Sequence, residues 1–255
     1  LPIYFSYLTS IGNFGEGPEE ITVMGCLAID EAHHQLYVSD HAKQKIFSYD
    51  MDSVMVDSLY KPQVKTAMNE TLFPSEYQYI NDTLSIAVLI KPTSTSTFNQ
   101  FLGRWNMNTG EMIPMKYTHP DIQKKRITFA ASEKAGIYVE CYTRHDLMTI
   151  CSLDGELLYN IYGPDWDGGN GNKLQSFGTV MIGNDKIFVS YCGEDYARDS
   201  FPTKILVFDL EGNYLKTLET GYKISDCCYD SFNNRIILSL NDVVQFAYLD
   251  IDGII

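Results

Sequence analysis

An all-β fold, a β-propeller of four-stranded antiparallel blades, is the class this sequence predicts. Three observations predict it. A short strand of β-branched and aromatic residues recurs at Leu36-Tyr37-Val38, Leu84-Ser85-Ile86, Ile137-Tyr138-Val139, Ile187-Phe188-Val189 and Ile236-Ile237-Leu238. The steps between first residues are 48, 53, 50 and 49, a period that suits a repeat of several short strands. Asn, Asp and Gly fall between the strands, where tight hairpins need positive φ. No helix-period segment of any length competes, and no low-complexity linker divides the chain. The 255 residues are therefore expected to form a single propeller domain, 1–255, with an incomplete N-terminal blade.

The elements follow in order. The first full repeat predicts strands at 26–30, 35–39, 45–50 and 54–59. The second predicts 77–80, 83–90, 100–107 and 111–117. The third predicts 126–130, 136–142, 147–153 and 157–162. The fourth predicts 178–182, 186–191, 204–210 and 214–219, and the fifth 224–229, 235–240 and 243–250. Hairpin turns between third and fourth strands carry Asn108-Thr109-Gly110, Asp154-Gly155 and Glu211-Gly212-Asn213. Turns between first and second strands carry Asn81-Asp82, Gly183-Asn184-Asp185 and Asn233-Asn234. Residues 3–12 read as the last two strands of a further blade. Five repeats are visible. The N-terminal strand either completes the fifth and closes a five-bladed ring, or belongs to a six-bladed parent.

Composition narrows the partners. The formal net charge is −14, so phosphate backbones and anionic membranes are repelled. Solubility accounts for much of this acidity, and a cationic ligand or metal ion is compatible with it. Tyr (18) and Phe (13) suit pleated, half-buried surfaces. No run approaches the ~18 apolar residues of a membrane span, and no signal peptide is present. The chain begins at Leu1 rather than Met, which is read as processing or an incomplete N-terminus.

Six cysteines, Cys26, Cys141, Cys151, Cys192, Cys227 and Cys228, contain no C-x-x-C pair, so neither a zinc site nor a thioredoxin-like motif is indicated. The plain reading makes them small buried hydrophobes. A sharper one bridges Cys141 and Cys151 across the hairpin around His145 and Asp146. Adjacent Cys227 and Cys228 point to opposite sheet faces.

Ligands enter propellers on the face shared by the loops that follow second and fourth strands, since loops escape the packing demands of the blades. That mapping selects His41, Arg144, His145, Trp166 and Arg198 as candidate ligand-binding residues. His41 and His145 fall at similar points of separate repeats, near Asp40 and Asp146, and an acid–base role competes with two solvated loop histidines. Trp166 either marks a binding surface or caps the edge of a blade. The segment 165–172 is rich in Asp, Asn and Gly, which makes Asp165 and Asp167 candidate calcium ligands. It departs from the EF-hand pattern at Gly169, Asn170 and Ser176, and a plain loop is the competing reading; no other cofactor is indicated. Asp30 and Asp226 end near first strands, as channel carboxylates or as turn acceptors. No catalytic residue is assigned, because no nucleophile elbow, phosphate loop or dinucleotide fingerprint is present.

Gly12-Asn13-Phe14-Gly15-Glu16-Gly17-Pro18-Glu19-Glu20 resembles the glycine-rich loop of Bacteroidetes TolB-like/NHL-like six-bladed propellers. Leu27-Ala28-Ile29-Asp30, Leu36-Tyr37-Val38-Ser39-Asp40 and Val207-Phe208-Asp209-Leu210-Glu211-Gly212-Asn213 resemble the blades of that family. Glu19 departs from it, standing where the family often has Gly. The resemblance implies six blades, with the first strands lost before Leu1, and an exported, often lipid-anchored protein of the periplasm or cell surface. Asp52-Ser53-Val54, Asp57-Ser58-Leu59 and Asp82-Thr83-Leu84 resemble the O-glycosylation acceptor of such proteins, or are ordinary strand boundaries. The functional expectation is a non-enzymatic binding module that takes a protein, peptide or glycan on its loop face. The alternative is a metal-dependent hydrolase or lyase of the six-bladed lactonase or NHL-lyase type, and a third reading is a structural subunit of an envelope assembly.

Overall fold

Short β-branched and aromatic strands build every sheet of this protein, with inner strands such as Ile137–Tyr142 buried along their whole length. The computed structural model describes residues 5–57, 59–69, 71–123, 125–170, 174–195 and 201–254. Among them, five antiparallel sheets each run in sequence order. The first holds β1 (Met24–Asp30), β2 (Gln35–Asp40), β3 (Lys45–Asp50) and β4 (Gln63–Ala67). The second holds β5 (Phe73–Asn81), β6 (Leu84–Pro92), β7 (Phe98–Trp105) and β8 (Met112–Pro114). The third holds β9 (Ile127–Ser132), β10 (Ile137–Tyr142), β11 (Leu147–Ser152) and β12 (Leu157–Tyr162). The fourth holds β13 (Leu174–Gly183), β14 (Lys186–Asp195), β15 (Lys204–Asp209) and β16 (Tyr214–Glu219). The fifth holds β17 (Ile224–Asp230), β18 (Arg235–Leu240) and β19 (Phe246–Asp250).

The chain divides into two compact units, one spanning Ser6–Met115 and the other running from Lys116 onward with Phe5. In the first unit, Ala28, Tyr37 and Ile46 of one sheet pack with Tyr77, Leu89 and Trp105 of the next. In the second unit, Val139, Cys141 and Ile150 pack with Phe177, Val180 and Val189. The far side of the fourth sheet, Phe188 and Val207, packs with Ile236 and Leu238 of the fifth. Each such fully buried side chain stabilises its unit by about 1.5–3 kcal/mol. The blades are thus glued face to face by the alternate residues of each strand.

Turn chemistry holds as the sequence predicts. Asn184 and Asp185 take φ of 49° and 55°, and Gly155 takes 85°, which closes the β13–β14 and β11–β12 hairpins. Several ladders are irregular, and β5–β6 and β13–β14 each lose register twice. The β13–β14 ladder loses register between Gln175 and Phe177 and again between Phe177 and Val180.

Four expectations are corrected. Residues 54–59 form no strand: α1 (Met51–Val56) stands there, and the fourth strand follows at β4. Asp50 accepts the Ser53 N–H at 2.7 Å and caps that helix. Val54 turns inward beside Phe47 and Tyr49 while Val56 is left exposed. The alternating valines fit a strand, but the cap decides. Residues 5–12 contain no strand either. The fourth strand of the second sheet shrinks to the three residues of β8. Cys141 and Cys151 are free thiols. Cys141 pairs in register with Met148 and Cys151 with Tyr138, an offset that puts their side chains on opposite faces of the sheet. Cys227 is buried and Cys228 exposed, so that adjacent pair does divide between the faces. Among the described residues, no helix is long and apolar enough to cross a membrane.

Candidate functional site

The β2–β3 turn of the first unit carries Asp40, His41 and Lys43. Asp40 is fully buried. Its carboxylate accepts backbone N–H bonds from Thr22 (2.8 Å), Val23 (3.2 Å), Ala42 (3.0 Å) and Lys43 (3.2 Å). Burial alone would raise its pKa, but these donors win and hold it below the usual carboxylate range. The Lys43 ammonium donates to the carbonyls of Gly17 (2.6 Å) and Glu20. Glu20 in turn accepts the Gly17 N–H at 2.7 Å. These residues pin the glycine-rich loop. His41 lies over Gly25, where a Cβ would collide with the imidazole, and its Nε2 is buried without a hydrogen-bond partner. Asp30, at the end of β1, accepts from the His33 backbone N–H (3.3 Å), the His33 ring (2.8 Å) and the phenols of Tyr37 and Tyr79. It is a turn acceptor.

The equivalent turn of the second unit, between β10 and β11, carries Arg144, His145 and Asp146. Here side chains from three segments meet. The Trp166 ring lies 6.1 Å from that of His145, 5.5 Å from that of His119 and 5.1 Å from that of Tyr162. Tyr142 meets His145 from beneath at 6.2 Å. His119 accepts the Asp121 N–H at Nδ1, which leaves Nε2 protonated to donate to the Tyr162 hydroxyl at 3.1 Å. His145 is 7% exposed, and its Nδ1 has no hydrogen-bond partner among the described residues. The nearest carboxylate oxygen, on Asp167, stands 3.9 Å away, beyond hydrogen-bond reach. Burial pushes the pKa of both histidines down; at His145, Asp167 opposes the shift and His119 adds to it. Asp146 is buried, and that burial raises its pKa although the Asp165 N–H donates to it at 3.0 Å. Trp166 is half-buried, so one edge of this ring cluster meets solvent.

A cavity of about 580 Å³ opens beside the same turn. Thr143 reaches it from the turn; Thr128, Gly178 and Thr179 reach it from β9 and β13; Ser190 and Ser225 reach it from β14 and β17. Phe177, Phe201, Pro202 and Ile224 supply its apolar surface, and among the described residues no ionisable side chain lines it. The register breaks of β13 fall at Phe177–Val180, along this wall. Phe177 also contacts Tyr191 at 5.4 Å. Burial, then the charges of Asp146 and Asp165, push the Tyr191 phenol up to about 12.

The structure therefore brings His145, Trp166 and Asp167 together, with Arg144 in the same turn. His41 lies in the other unit, and Arg198 lies outside the described residues. Asp165 and Asp167 flank Trp166, and Asn170 turns its amide to the Asp167 carbonyl at 2.9 Å. Among the described residues, no three His, Cys, Asp or Glu side chains converge as a metal site; positions 171–172 lie outside them, as does Ser58. Asp226 is fixed by the Thr179 hydroxyl at 2.6 Å and the Cys227 N–H at 2.8 Å.

Sequence reasoning missed several partners. His119 carries no signal of its own, because its burial depends on Tyr162 and Trp166. The buried Lys125–Glu140 pair (2.6 Å), to which Tyr142 adds its hydroxyl at 3.1 Å, does carry one: Glu140 interrupts the apolar run of β10, where every residue is buried.

None of the curated proteins matches the chain. Solved structures from Bacteroides do. A member of the DUF4221 family from Bacteroides vulgatus aligns with a TM-score of 0.60 at 9% identity, covering 94% of this chain and 82% of that one. A protein of unknown function from Bacteroides caccae aligns at 0.51 and 11% identity, covering 90% and 78%. The extracellular domain of BT4673 from B. thetaiotaomicron, described as a one component system, aligns at 0.55 and 13% identity. That match covers 87% of this chain and 27% of the other. At these identities the likeness is one of fold. Residues 6–142 match the DUF5128 family, described as a 6-bladed beta-propeller. With more than half of its 255 residues matched, and with the four-stranded antiparallel blades of that fold, the chain belongs to the DUF5128 family of 6-bladed beta-propellers.

Proposed function

We propose that the protein is an exported, non-enzymatic binding module that works without a cofactor. It takes its ligand on the loop side of the second unit, at the cavity beside the Thr143–Asp146 turn. The observation that carries this reading is the lining of the cavity. Among the described residues the lining offers hydroxyls and aromatic rings for recognition, whereas acid–base chemistry needs an ionisable group within reach of the substrate. The half-buried Trp166 on its buried histidine base extends the same surface. Large rigid aromatics of this kind anchor ligands at low entropic cost. Export, a lipid anchor and a periplasmic or cell-surface site rest on the resemblance of the 12–20 loop to exported TolB-like/NHL-like propellers. The description of BT4673 as an extracellular domain supports the same reading.

The test pairs elemental analysis of dialysed protein with mass spectrometry of peptide and oligosaccharide panels incubated with it. Ligands retained and recovered intact are expected. Conversion of any panel member to product, dependent on a calcium or zinc ion held near one per chain, would overturn the reading in favour of a hydrolase or lyase.

A further inference from the structure

The three threonine hydroxyls of the cavity are not free to donate. Thr128 donates its proton to the Gly178 carbonyl at 2.5 Å. Thr179 donates to Asp226 at 2.6 Å. Thr143 donates to the Arg126 carbonyl at 3.4 Å. A hydroxyl has one proton and two lone pairs. Each of these three oxygens, its proton committed to the protein, therefore offers the cavity lone pairs alone. Such walls accept hydrogen bonds and cannot neutralise charge. They disfavour a carboxylate or phosphate, which has only acceptors, and a protein of net charge −14 disfavours it further. A ligand that suits them carries several O–H donors and no charge. The volume, about 580 Å³, falls in the ~300–1,000 Å³ range of small-molecule sites. Phe201, half-buried where Phe177 is buried, gives the apolar surface on which the C–H face of a sugar ring rests.

From this we infer that the cavity is a site for an uncharged polyhydroxylated ligand of the saccharide class, recognised through its hydroxyl donors. The inference rests on the binding-module reading and adds the chemistry of the ligand. Thr179 is the determinant to test: the Asp226 carboxylate fixes the direction of its hydroxyl, and valine keeps its shape in β13 while removing the acceptor. Gly178 is the second. A Cβ there would collide with Ser190 Oγ and press on Pro202, so Gly178→Ala narrows the cavity.

The experiment titrates the intact chain by calorimetry with neutral trisaccharides (maltotriose, xylotriose, mannotriose), with trigalacturonate and with tri-lysine. Thr179→Val and Gly178→Ala follow, each checked for a wild-type melting curve. A neutral trisaccharide is expected to bind, about tenfold more weakly in Thr179→Val, the loss of one hydrogen bond to a fixed acceptor, and trigalacturonate to fail. If Gly178→Ala fails to fold, Thr179→Val alone decides. Tighter binding of tri-lysine or trigalacturonate, weakened by the same substitutions, would overturn the saccharide class and leave the binding module standing. Binding of every kind that ignores both substitutions would overturn the site and the reading beneath it.

Discussion

Two turns hold the same place in their blades and do opposite things with their polar residues. In the β2–β3 turn, Asp40 meets four backbone donors and Lys43 closes over two carbonyls. In the β10–β11 turn, Asp146 meets the Asp165 N–H, and His145, like His41 in the first turn, keeps a buried nitrogen with no hydrogen-bond partner among the described residues. The first turn is closed by its own hydrogen bonds and serves as scaffold. The second buries a carboxylate against its charge beside the rings of His145 and Trp166, so the difference between the turns lies in how their carboxylates are met. Equivalent sequence positions therefore do not share a role; the backbone donors that meet Asp40 and Asp146 separate them.

The largest effect expected from this contrast is at Asp40. Asp40→Ala removes the shared acceptor of four backbone N–H groups and the carboxylate 3.8 Å from the Lys43 ammonium, and a loss of about 3 kcal/mol in the stability of the first unit is expected by denaturant unfolding. A loss below about 1 kcal/mol would show that the loop does not depend on that carboxylate.

A smaller effect separates the turns by pH. His119 and His145 have pKa values below that of the unfolded chain, about 6.5. The unfolded state then binds more protons as pH falls below that value. The contribution of the neutral imidazoles is present above it and is lost as pH falls through the folded values. Asp40 has a lowered pKa, so its contribution holds above about 3.9 and is lost only as pH falls through its folded value. Between roughly pH 6.5 and 4.5 the emission of Trp166, read in a Trp105→Phe background, should shift while amide protection at Thr22 and Val23 stays constant. Parallel loss of both signals would erase the distinction.

Asp146→Asn should be milder still. Its carboxylate is buried against its charge, and the asparagine oxygen can still accept the Asp165 N–H. At pH 7, stability unchanged or raised by up to about 1 kcal/mol is expected in thermal melts; a fall of about 2 kcal/mol would assign Asp146 the scaffold role of Asp40. The smallest effect is chemical. In native protein a maleimide reagent should label Cys228 and spare Cys141 and Cys151, whose thiols burial pushes up, to about 11 at Cys151. Rapid native labelling of Cys151 would show that the third blade opens.

Much of the fold was legible because strand alternation and turn residues are local signals. β3, β12, β16 and β18 fall on the predicted residues, and the Asn184-Asp185 turn adopts the backbone its residue types favour. α1 was not legible from alternation, because Val54 and Val56 suit either structure and only the Asp50 cap discriminates. The candidate site was legible residue by residue and not as a constellation. His145, Trp166 and Asp167 were each singled out, whereas His119 and the hydroxyl-lined cavity arise from segments brought together by blade packing. The direction in which a threonine hydroxyl points is set by acceptors across the sheet, such as Asp226 for Thr179, and no spacing in the chain encodes that.

The loss of register in β13 has a consequence for how such a site could change its guest. A regular antiparallel ladder leaves no vacancy between neighbouring blades, since every rung fixes the next. Between Gln175 and Val180 the rungs fail twice, and the Gly178 carbonyl turns instead to Thr128. The room in the wall lies where missing rungs coincide with Gly178, which has no side chain to fill it. Phe177 and Val180 on either side of it belong to the core, so an insertion or deletion there would turn core residues outward, whereas side-chain size at Gly178 resets the opening and lets the scaffold change the guest it admits without changing how it folds.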